Sequence, residues 1–183
     1  MRIEDDVRDE LGPFAVGLGG ALAVAGSIMP WAVVTFQPGP LGVVPSRLFT
    51  PVRHVMGTHT PQGKVTLAVA LVVAVLGIGG LLLRGRRAHL AIGLGAAVGA
   101  IALLALGITE FGRVSDASAL FNPLRYPLRY RGVPFRHIVN VSTSYGLDVL
   151  VAGGALALAG AVVVVIRGRR RWSFGSPRHY SMR

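Results

Sequence analysis

The sequence predicts an all-α polytopic membrane protein, a bundle of four transmembrane helices with two long outer loops. The composition is 52% hydrophobic and only 15% charged, with a mean hydropathy of +0.58, whereas a soluble domain carries about 25% charged residues. Four apolar runs are long enough to cross a hydrocarbon core, which takes about 20 helical residues. Their interiors lack Lys, Arg, Asp and Glu, and they lack the alternation of barrel strands.

The four predicted spans form a single membrane domain over residues 1–183. The first span starts after Gly12 and Pro13, because proline is tolerated in the first turn of a helix. Thr60 is placed to cap the second helix, with Pro61 at its first position. The predicted spans are 14–36, 65–83, 88–109 and 147–166, the outer loops are 37–64 and 110–146, and the tail is 167–183.

Arginine clusters beside the apolar runs predict the orientation. The short loop RGRR (84–87) joins spans two and three, and RGRRRW (167–172) follows span four. Compact basic clusters at helix ends mark the cytoplasmic side. We therefore expect a multi-pass plasma-membrane protein with both termini in the cytoplasm. The net charge of +11 lies largely beside apolar runs, which indicates anionic lipid headgroups, and not nucleic acid, as the counter-charge.

Small residues recur at four-residue spacing in three of the spans, and such stripes let helix backbones approach closely in lipid. The simpler interpretation is packing within one bundle. The alternative is that a surplus small-residue face docks another membrane protein, since the first span carries a second such face, formed by Gly17, Ala21 and Ala25. The residues predicted to pack helices are Gly19, Ala23 and Ser27 in span one, Gly95 and Gly99 in span three, and Gly153 and Ala157 in span four.

The second outer loop contains the segment NPLRYPLRYRGVPFRH, in which arginines alternate with rings and prolines. Pro127 disfavours a helix and pushes the residue before it towards an extended conformation. Tyrosines suit the membrane interface, and arginines suit phosphates or acidic partner surfaces. A loop that merely rests on headgroups is the alternative. The predicted partner or lipid contacts here are Arg125, Tyr126, Arg129, Tyr130, Arg131 and Arg136.

Trp31 is a further predicted contact, at the outer end of the first span. It follows Pro30, and tryptophan prefers the membrane–water interface. Because proline removes a backbone hydrogen bond, we expect an anchored and slightly kinked helix end. A hinge or a lipid-facing groove is the alternative.

Two carboxylates, Glu110 and Asp148, are expected to lie near the outer membrane surface. Asp148 falls in the first turn of span four, where the helix dipole favours a negative charge. Glu110 is spaced to pair with Arg113 at i, i+3. These structural roles are the simpler interpretation. The alternative is a shared outer site that binds a polar headgroup or a proton together with arginines of the second loop.

The sequence indicates no enzyme and no cofactor. The chain has no cysteine, which excludes thiolate metal sites and thiol chemistry. Its five histidines are not spaced as metal ligands on a helix. A Walker pattern, HExxH and GxSxG are all absent. We therefore predict no catalytic, cofactor-binding or metal residues.

The segments GSIMPWAVV, RGRR and RGRRRW, together with the Arg-, Ala-, Gly- and Val-rich composition, resemble small four-span membrane proteins of actinobacteria. The resemblance implies an accessory subunit of a larger envelope complex, with lipid transporters and respiratory assemblies as candidates. We expect a non-enzymatic stabilising subunit, with lipid transport favoured, whose partners are other integral membrane subunits and anionic lipid headgroups. The alternatives are a small oligomeric transporter or channel and a respiratory accessory subunit.

Overall fold

The computed structural model describes residues 2–36, 52–83, 86–115, 129–130, 133–134 and 139–173. Four long helices dominate these residues. They are α1 (Arg2–Ile28), α2 (Pro61–Leu82), α3 (Arg86–Ser115) and α4 (Tyr145–Ser173). The strands are β1 (Pro30–Phe36), β2 (Val52–Met56), β3 (Arg129–Tyr130), β4 (Val133–Pro134) and β5 (Val139–Thr143), and a 3-10 turn covers Gly57–His59.

The four predicted apolar helices are confirmed, and each is long and apolar enough to cross a membrane. Many large apolar side chains lie on the outside of the bundle: Val75 is 65% exposed and Val98 is 69% exposed. Much of the interior is alanine and glycine. The apolar segments of the four helices are Glu10–Ile28, Pro61–Leu82, Arg87–Val114 and Tyr145–Gly168.

The helices form an up-down-up-down bundle. Helix α1 packs against α4 and α2, and α3 closes the ring by packing against the same two helices. Helices α2 and α3 form the predicted hairpin, because α2 ends at Leu82 and α3 begins at Arg86. The opposite end carries β1, β2 and β5, and we call it the sheet end. Chain neighbours in the ring are antiparallel, since α1 and α3 end at the sheet end and α2 and α4 begin there.

The most extensive helix–helix interface joins α1 to α4, and it contains glycines at seven-residue intervals. A Cβ atom at Gly19 would lie 2.6 Å from the carbonyl oxygen of Gly153, and one at Gly160 would lie 2.7 Å from the backbone nitrogen of Val16. The two backbones are therefore in direct contact, and no larger side chain fits between them. The glycines in antiparallel register are Gly12 with Gly160, Gly19 with Gly153, and Gly26 with Gly146.

The predicted packing residues occupy several interfaces. Gly19 lies against Gly153 and Ala157, and Gly153 lies against Ala23. On α3, Gly99 faces α2, where a Cβ atom would lie 2.5 Å from Val73 Cγ2; one at Gly95 would lie 3.4 Å from Leu76 Cδ1. Ser27 is buried at the end of α1, and its hydroxyl donates to the Ala23 carbonyl at 2.8 Å.

The small-residue face of α1 formed by Gly17, Ala21 and Ala25 is covered in part by α2. Gly17 lies against Gly77, and a Cβ atom at Gly20 would lie 2.5 Å from the backbone nitrogen of Ala74. Of the other two residues on that face, Ala21 is exposed and Ala25 is half-buried.

Helix α1 differs at both ends from the helix predicted for the first span. Helix α1 begins at Arg2 and contains Pro13, so the helix does not start at the proline. It ends at Ile28, and Pro30–Phe36 forms β1 and not the last turns of a span. Proline has no amide hydrogen and disfavours helix in the residue before it. The β-branched residues that follow, Val33, Val34 and Thr35, suit a strand.

A three-stranded antiparallel sheet, in the order β2-β1-β5, corrects the purely helical prediction. Val34 of β1 pairs with Arg53 of β2 on one side and with Val141 of β5 on the other. Strand β1 continues from α1, and β5 runs into α4 through Ser144. The sheet therefore ties the two most closely packed helices together beyond their ends.

The predicted cap of α2 is confirmed. The Thr60 hydroxyl oxygen accepts a hydrogen bond from the Gly63 amide at 3.0 Å, and its hydroxyl donates to the Gly57 carbonyl at 2.9 Å. Pro61 occupies the first helical position. The cap therefore joins α2 to the 3-10 turn that precedes it.

Thr60→Ala is expected to lower the free energy of unfolding by about 1 kcal/mol, because the first turn of α2 loses its side-chain acceptor. Thermal unfolding in detergent micelles would measure the loss, and hydrogen exchange would localise it to residues 61–64. Thr109→Ala is the control, since the Thr109 hydroxyl only donates to the Leu106 carbonyl on an exposed helix face. Equal unfolding midpoints for the two variants would contradict the capping role.

Candidate functional site at the sheet end

The sheet has an inner face against the bundle and an outer face directed away from it. Ala32 and Val34 of β1 are buried, and Val55 and Val141 from the flanking strands pack against the core. On the outer face Val33 pairs with His54 on β2 and Ser142 on β5, and both of these polar residues are exposed. The inner face therefore closes the bundle, and the outer face presents polar groups.

Trp31 belongs to the core, which corrects its predicted contact with lipid or a partner. Its side chain is only 2% exposed, and Nε1 donates to the Gly26 carbonyl at 2.9 Å. The β1–β2 register shifts between Pro30 and Ala32, so Trp31 lies at an irregularity of the strand. Such a bulge re-aims a side chain. The indole here packs between the end of α1 and the 3-10 turn.

Gly57 makes this packing possible, although it was not among the predicted site residues. Its amide donates to the Met29 carbonyl at 3.2 Å. A Cβ atom there would lie 2.6 Å from Trp31 Nε1 and would also clash with the Ser27 carbonyl oxygen. The available signal was a lone glycine in the segment MGTHTP, immediately before the predicted cap. Its importance follows from the distant tryptophan that it contacts.

Glu110 forms the predicted ion pair with Arg113. The Arg113 guanidinium donates to Glu110 Oε1 at 2.7 Å, and the glutamate residue is 8% exposed. Glu110 is thus partnered within α3. This favours its structural interpretation over a site shared with Asp148.

Asp148 lies in the first turn of α4, as predicted, and is exposed. It borders an apolar groove between the sheet-end halves of α3 and α4, which we call the α3–α4 groove. The groove has a volume of about 520 Å³. Its lining residues are Ile108, Phe111 and Gly112 from α3, and Asp148, Val151, Ala152 and Ala155 from α4. No sequence pattern marked it, because its two walls are far apart in the chain.

The second-loop contact site falls largely outside the described residues. Arg125, Tyr126, Arg131 and Arg136 all lie there. Arg129 and Tyr130 form β3, which pairs with β4 through Arg129↔Pro134 and Tyr130↔Val133. This part of the segment is extended, as Pro127 led us to expect.

Within the described ranges, no three His, Asp or Glu side chains come together as metal ligands would. Comparison with protein-family models and with curated proteins finds no match.

Proposed function

We propose that the chain inserts into the plasma membrane as a four-span bundle with both termini in the cytoplasm and the sheet end outside. Two features support insertion: four long apolar helices, and an exterior of large apolar side chains such as Val75 and Val98. Lipid tails are as apolar as these side chains, so helices in a bilayer associate through close packing. The glycine contacts between α1 and α4 suit that environment.

We propose further that the protein is a non-enzymatic accessory subunit of an envelope membrane complex. The carrying observation is that two buried hydroxyls of the bundle are satisfied within their own helices. The buried hydroxyls of Ser27 and Thr66 donate to carbonyls of their own helices, each at 2.8 Å. Substrate paths through membranes use polar groups that face a cavity or a neighbouring helix. A stabilising role therefore fits better than transport through this bundle.

Lipid transport is the task we favour for the complex. The second-loop segment NPLRYPLRYRGVPFRH supplies arginines for phosphate groups and tyrosines for the interface. It is joined through β5 to the sheet and to α4. A lipid or subunit bound there would thus be connected directly to the most tightly packed part of the bundle.

Replacing Arg125, Arg129, Arg131 and Arg136 together with glutamine is expected to weaken association with the complex or with anionic lipid. Each exposed charge near an anionic surface contributes about 1 kcal/mol, so the loss should be large and salt-sensitive. Native purification with quantitative mass spectrometry would measure the subunits retained, and flotation with anionic vesicles would measure lipid binding. Unchanged association in both assays would contradict the contact site.

The matched control replaces Arg2, Arg8, Arg178 and Arg183, the same number of arginines on the predicted cytoplasmic side but outside the two clusters that abut the spans. It should leave the outer association intact. A wild-type protein that purifies from its native membrane as a solitary monomer would contradict the accessory role.

The transporter alternative has its own test. Purified protein reconstituted into liposomes would be assayed for flux of protons, of monovalent ions and of a labelled lipid. We expect none above protein-free liposomes. Flux that disappears in a Glu110→Gln, Asp148→Asn double variant would replace the accessory role with a transport role.

A further inference from the structure

An arginine in α4 has a buried charged group at the end of the bundle where α2 turns into α3, which we call the hairpin end. Arg167 lies near the end of α4, inside its apolar segment Tyr145–Gly168. Its Nη1 atom is buried and makes no hydrogen bond with any described residue. A buried N–H group without an acceptor is unfavourable, and charged residues within membrane helices pair with other groups. Arg167 therefore needs an acceptor close to α4.

The register of α4 against α1 shows which part of α1 lies beside Arg167. A Cβ atom at Gly160 would lie 2.7 Å from the backbone nitrogen of Val16 and 2.8 Å from the carbonyl oxygen of Gly12. Arg167 follows Gly160 by seven residues, which is about two helical turns, so both lie on the stripe of α4 that faces α1. Because the helices are antiparallel, the matching step on α1 runs back from Val16 to position 9.

Position 9 is an aspartate, and it belongs to the stripe of α1 that faces α4. The next members of this stripe at seven-residue spacing, Val16 and Ala23, are 1% and 0% exposed. Helix α1 is continuous through this region, and Pro13 lies on the side of α2. The heptad step therefore brings an acidic position of α1 to the height of Arg167.

We propose that Asp9 and Arg167 form an ion pair that joins α1 to α4 at the hairpin end. The carboxylate accepts a hydrogen bond from Nη1 and so supplies the acceptor that the described residues lack. Glycine contacts hold the two helices together along their apolar segments, and the sheet ties them beyond the other end. The ion pair fixes the hairpin end of the same interface.

The direction of the side chains favours Asp9 over Asp5, which also lies on this stripe one turn earlier. Helical side chains lean towards the N-terminus of their own helix. The N-terminus of α4 is at the sheet end, so the Arg167 side chain leans towards the middle of the bundle. Position 9 is closer to the middle than position 5 is. Asp9 is therefore the acid that Arg167 approaches.

An internal carboxylate also fits better than the phosphate of a lipid headgroup. The Nη1 atom is buried, so a phosphate in the headgroup layer would reach it only if the helices separated. Residues 4–10 of α1 include five acids, and their negative charge disfavours a further anion at this end of α1. A carboxylate from α1 needs neither a separation of the helices nor an additional anion.

A double-mutant cycle on the purified full-length protein tests the pair. Asp9→Leu and Arg167→Met each leave the other charge without a partner, so each should lower the unfolding midpoint in detergent by about 5–10 °C. The double variant removes both charges and should unfold within about 2 °C of the wild type. Glu10→Leu is the matched control, because Glu10 is the neighbouring acid and is exposed. Its effect should be small and should add to that of Arg167→Met.

Cross-linking tests proximity without relying on stability. The chain has no cysteine, so Asp9→Cys combined with Arg167→Cys introduces a single pair of thiols. A short bifunctional thiol reagent applied to membranes should link them, and peptide mass spectrometry would detect the link. Asp6→Cys with Arg167→Cys is the control and should link poorly, because position 6 is one heptad before Pro13, on the side of α2.

Two results would overturn the proposal. One is additive effects of Asp9→Leu and Arg167→Met. The other is loss of retained phosphatidylglycerol in Arg167→Met nanodiscs, by native mass spectrometry, with no effect of Asp9→Leu on the midpoint; this would assign Arg167 to a headgroup phosphate. If a single variant does not fold, the exchanged variant Asp9→Arg, Arg167→Asp replaces it and should fold, and failure of both folding and cross-linking would count against the pair. These measurements use the isolated chain, so they do not depend on the accessory role.

Discussion

Gly19→Ala is expected to destabilise the bundle by about 3 kcal/mol, although it adds a single methyl group. The new Cβ atom would lie 2.6 Å from the Gly153 carbonyl oxygen and 2.8 Å from the Ala157 Cα atom. These are backbone atoms of another helix, so relief requires α1 and α4 to separate. Overpacking of a tight interior lowers stability by about 1–3 kcal/mol. We expect a value at the upper end of this range, because backbone atoms cannot move aside as a side chain can. Detergent unfolding followed by circular dichroism would measure the change.

Gly112→Ala is the matched control for that experiment. It makes the same substitution in a helix, and a Cβ atom at Gly112 would meet no heavy atom within 4 Å. Alanine is a better helix former than glycine by about 0.5–1 kcal/mol, so this variant should be slightly more stable than the wild type. If Gly19→Ala and Gly112→Ala unfold at the same midpoint, α1 and α4 are not in backbone contact.

Trp31→Ala is expected to lower the free energy of unfolding by about 3–5 kcal/mol, the range for large buried aromatic residues. The variant removes the largest fully buried side chain among the described residues. It also leaves the Gly26 carbonyl without its indole donor and opens a cavity beside Gly57. Strands β1 and β2 should lose protection against hydrogen exchange before the middle of α1 does.

Trp31→Phe separates packing from hydrogen bonding at the same position. It keeps most of the aromatic contact but removes the hydrogen bond from Nε1 to the Gly26 carbonyl. We expect this loss to lower the free energy of unfolding by about 1 kcal/mol. Trp172 is the other tryptophan in the chain, so in a Trp172→Phe background Trp31 is the sole tryptophan and can be excited selectively over the tyrosines. Its emission should be blue-shifted and resistant to aqueous quenchers. Ready quenching would instead show that Trp31 is exposed, as in the interfacial anchor predicted from the sequence.

The two sensitive positions, Gly19 and Trp31, have one physical cause. When helices sit in lipid, apolar burial contributes little to their association, and close contact has to replace it. The glycines of α1 and α4 provide that contact along the helices. Trp31, held by Gly26 and Gly57, extends it into the sheet. The sheet end is thereby rigidly connected to the bundle, which is the property that an accessory subunit with an outer contact surface would need.

Local features were predictable because their causes lie within a few residues of each other. Hydropathy alone identifies four long apolar helices. The Thr60 cap follows from a threonine before a proline at a helix start, and the pair of Glu110 with Arg113 follows from i, i+3 spacing. The glycine contacts could also have been predicted, because Gly12, Gly19 and Gly26 recur in the sequence at seven-residue spacing. That period differs from the four-residue stripes from which helix packing was predicted.

The remaining features depend on residues that meet only after the chain folds back on itself. PWAVVTF is apolar and continuous with α1, and it becomes a strand because Val52–Met56 and Val139–Thr143 pair with it from both sides. Trp31 is buried because the distant Gly57 leaves room for its ring. The α3–α4 groove exists because Phe111 and Ala155 stand on neighbouring helices. Hydropathy and spacing describe one segment at a time, whereas pairing, burial and grooves are properties of two or more segments in contact.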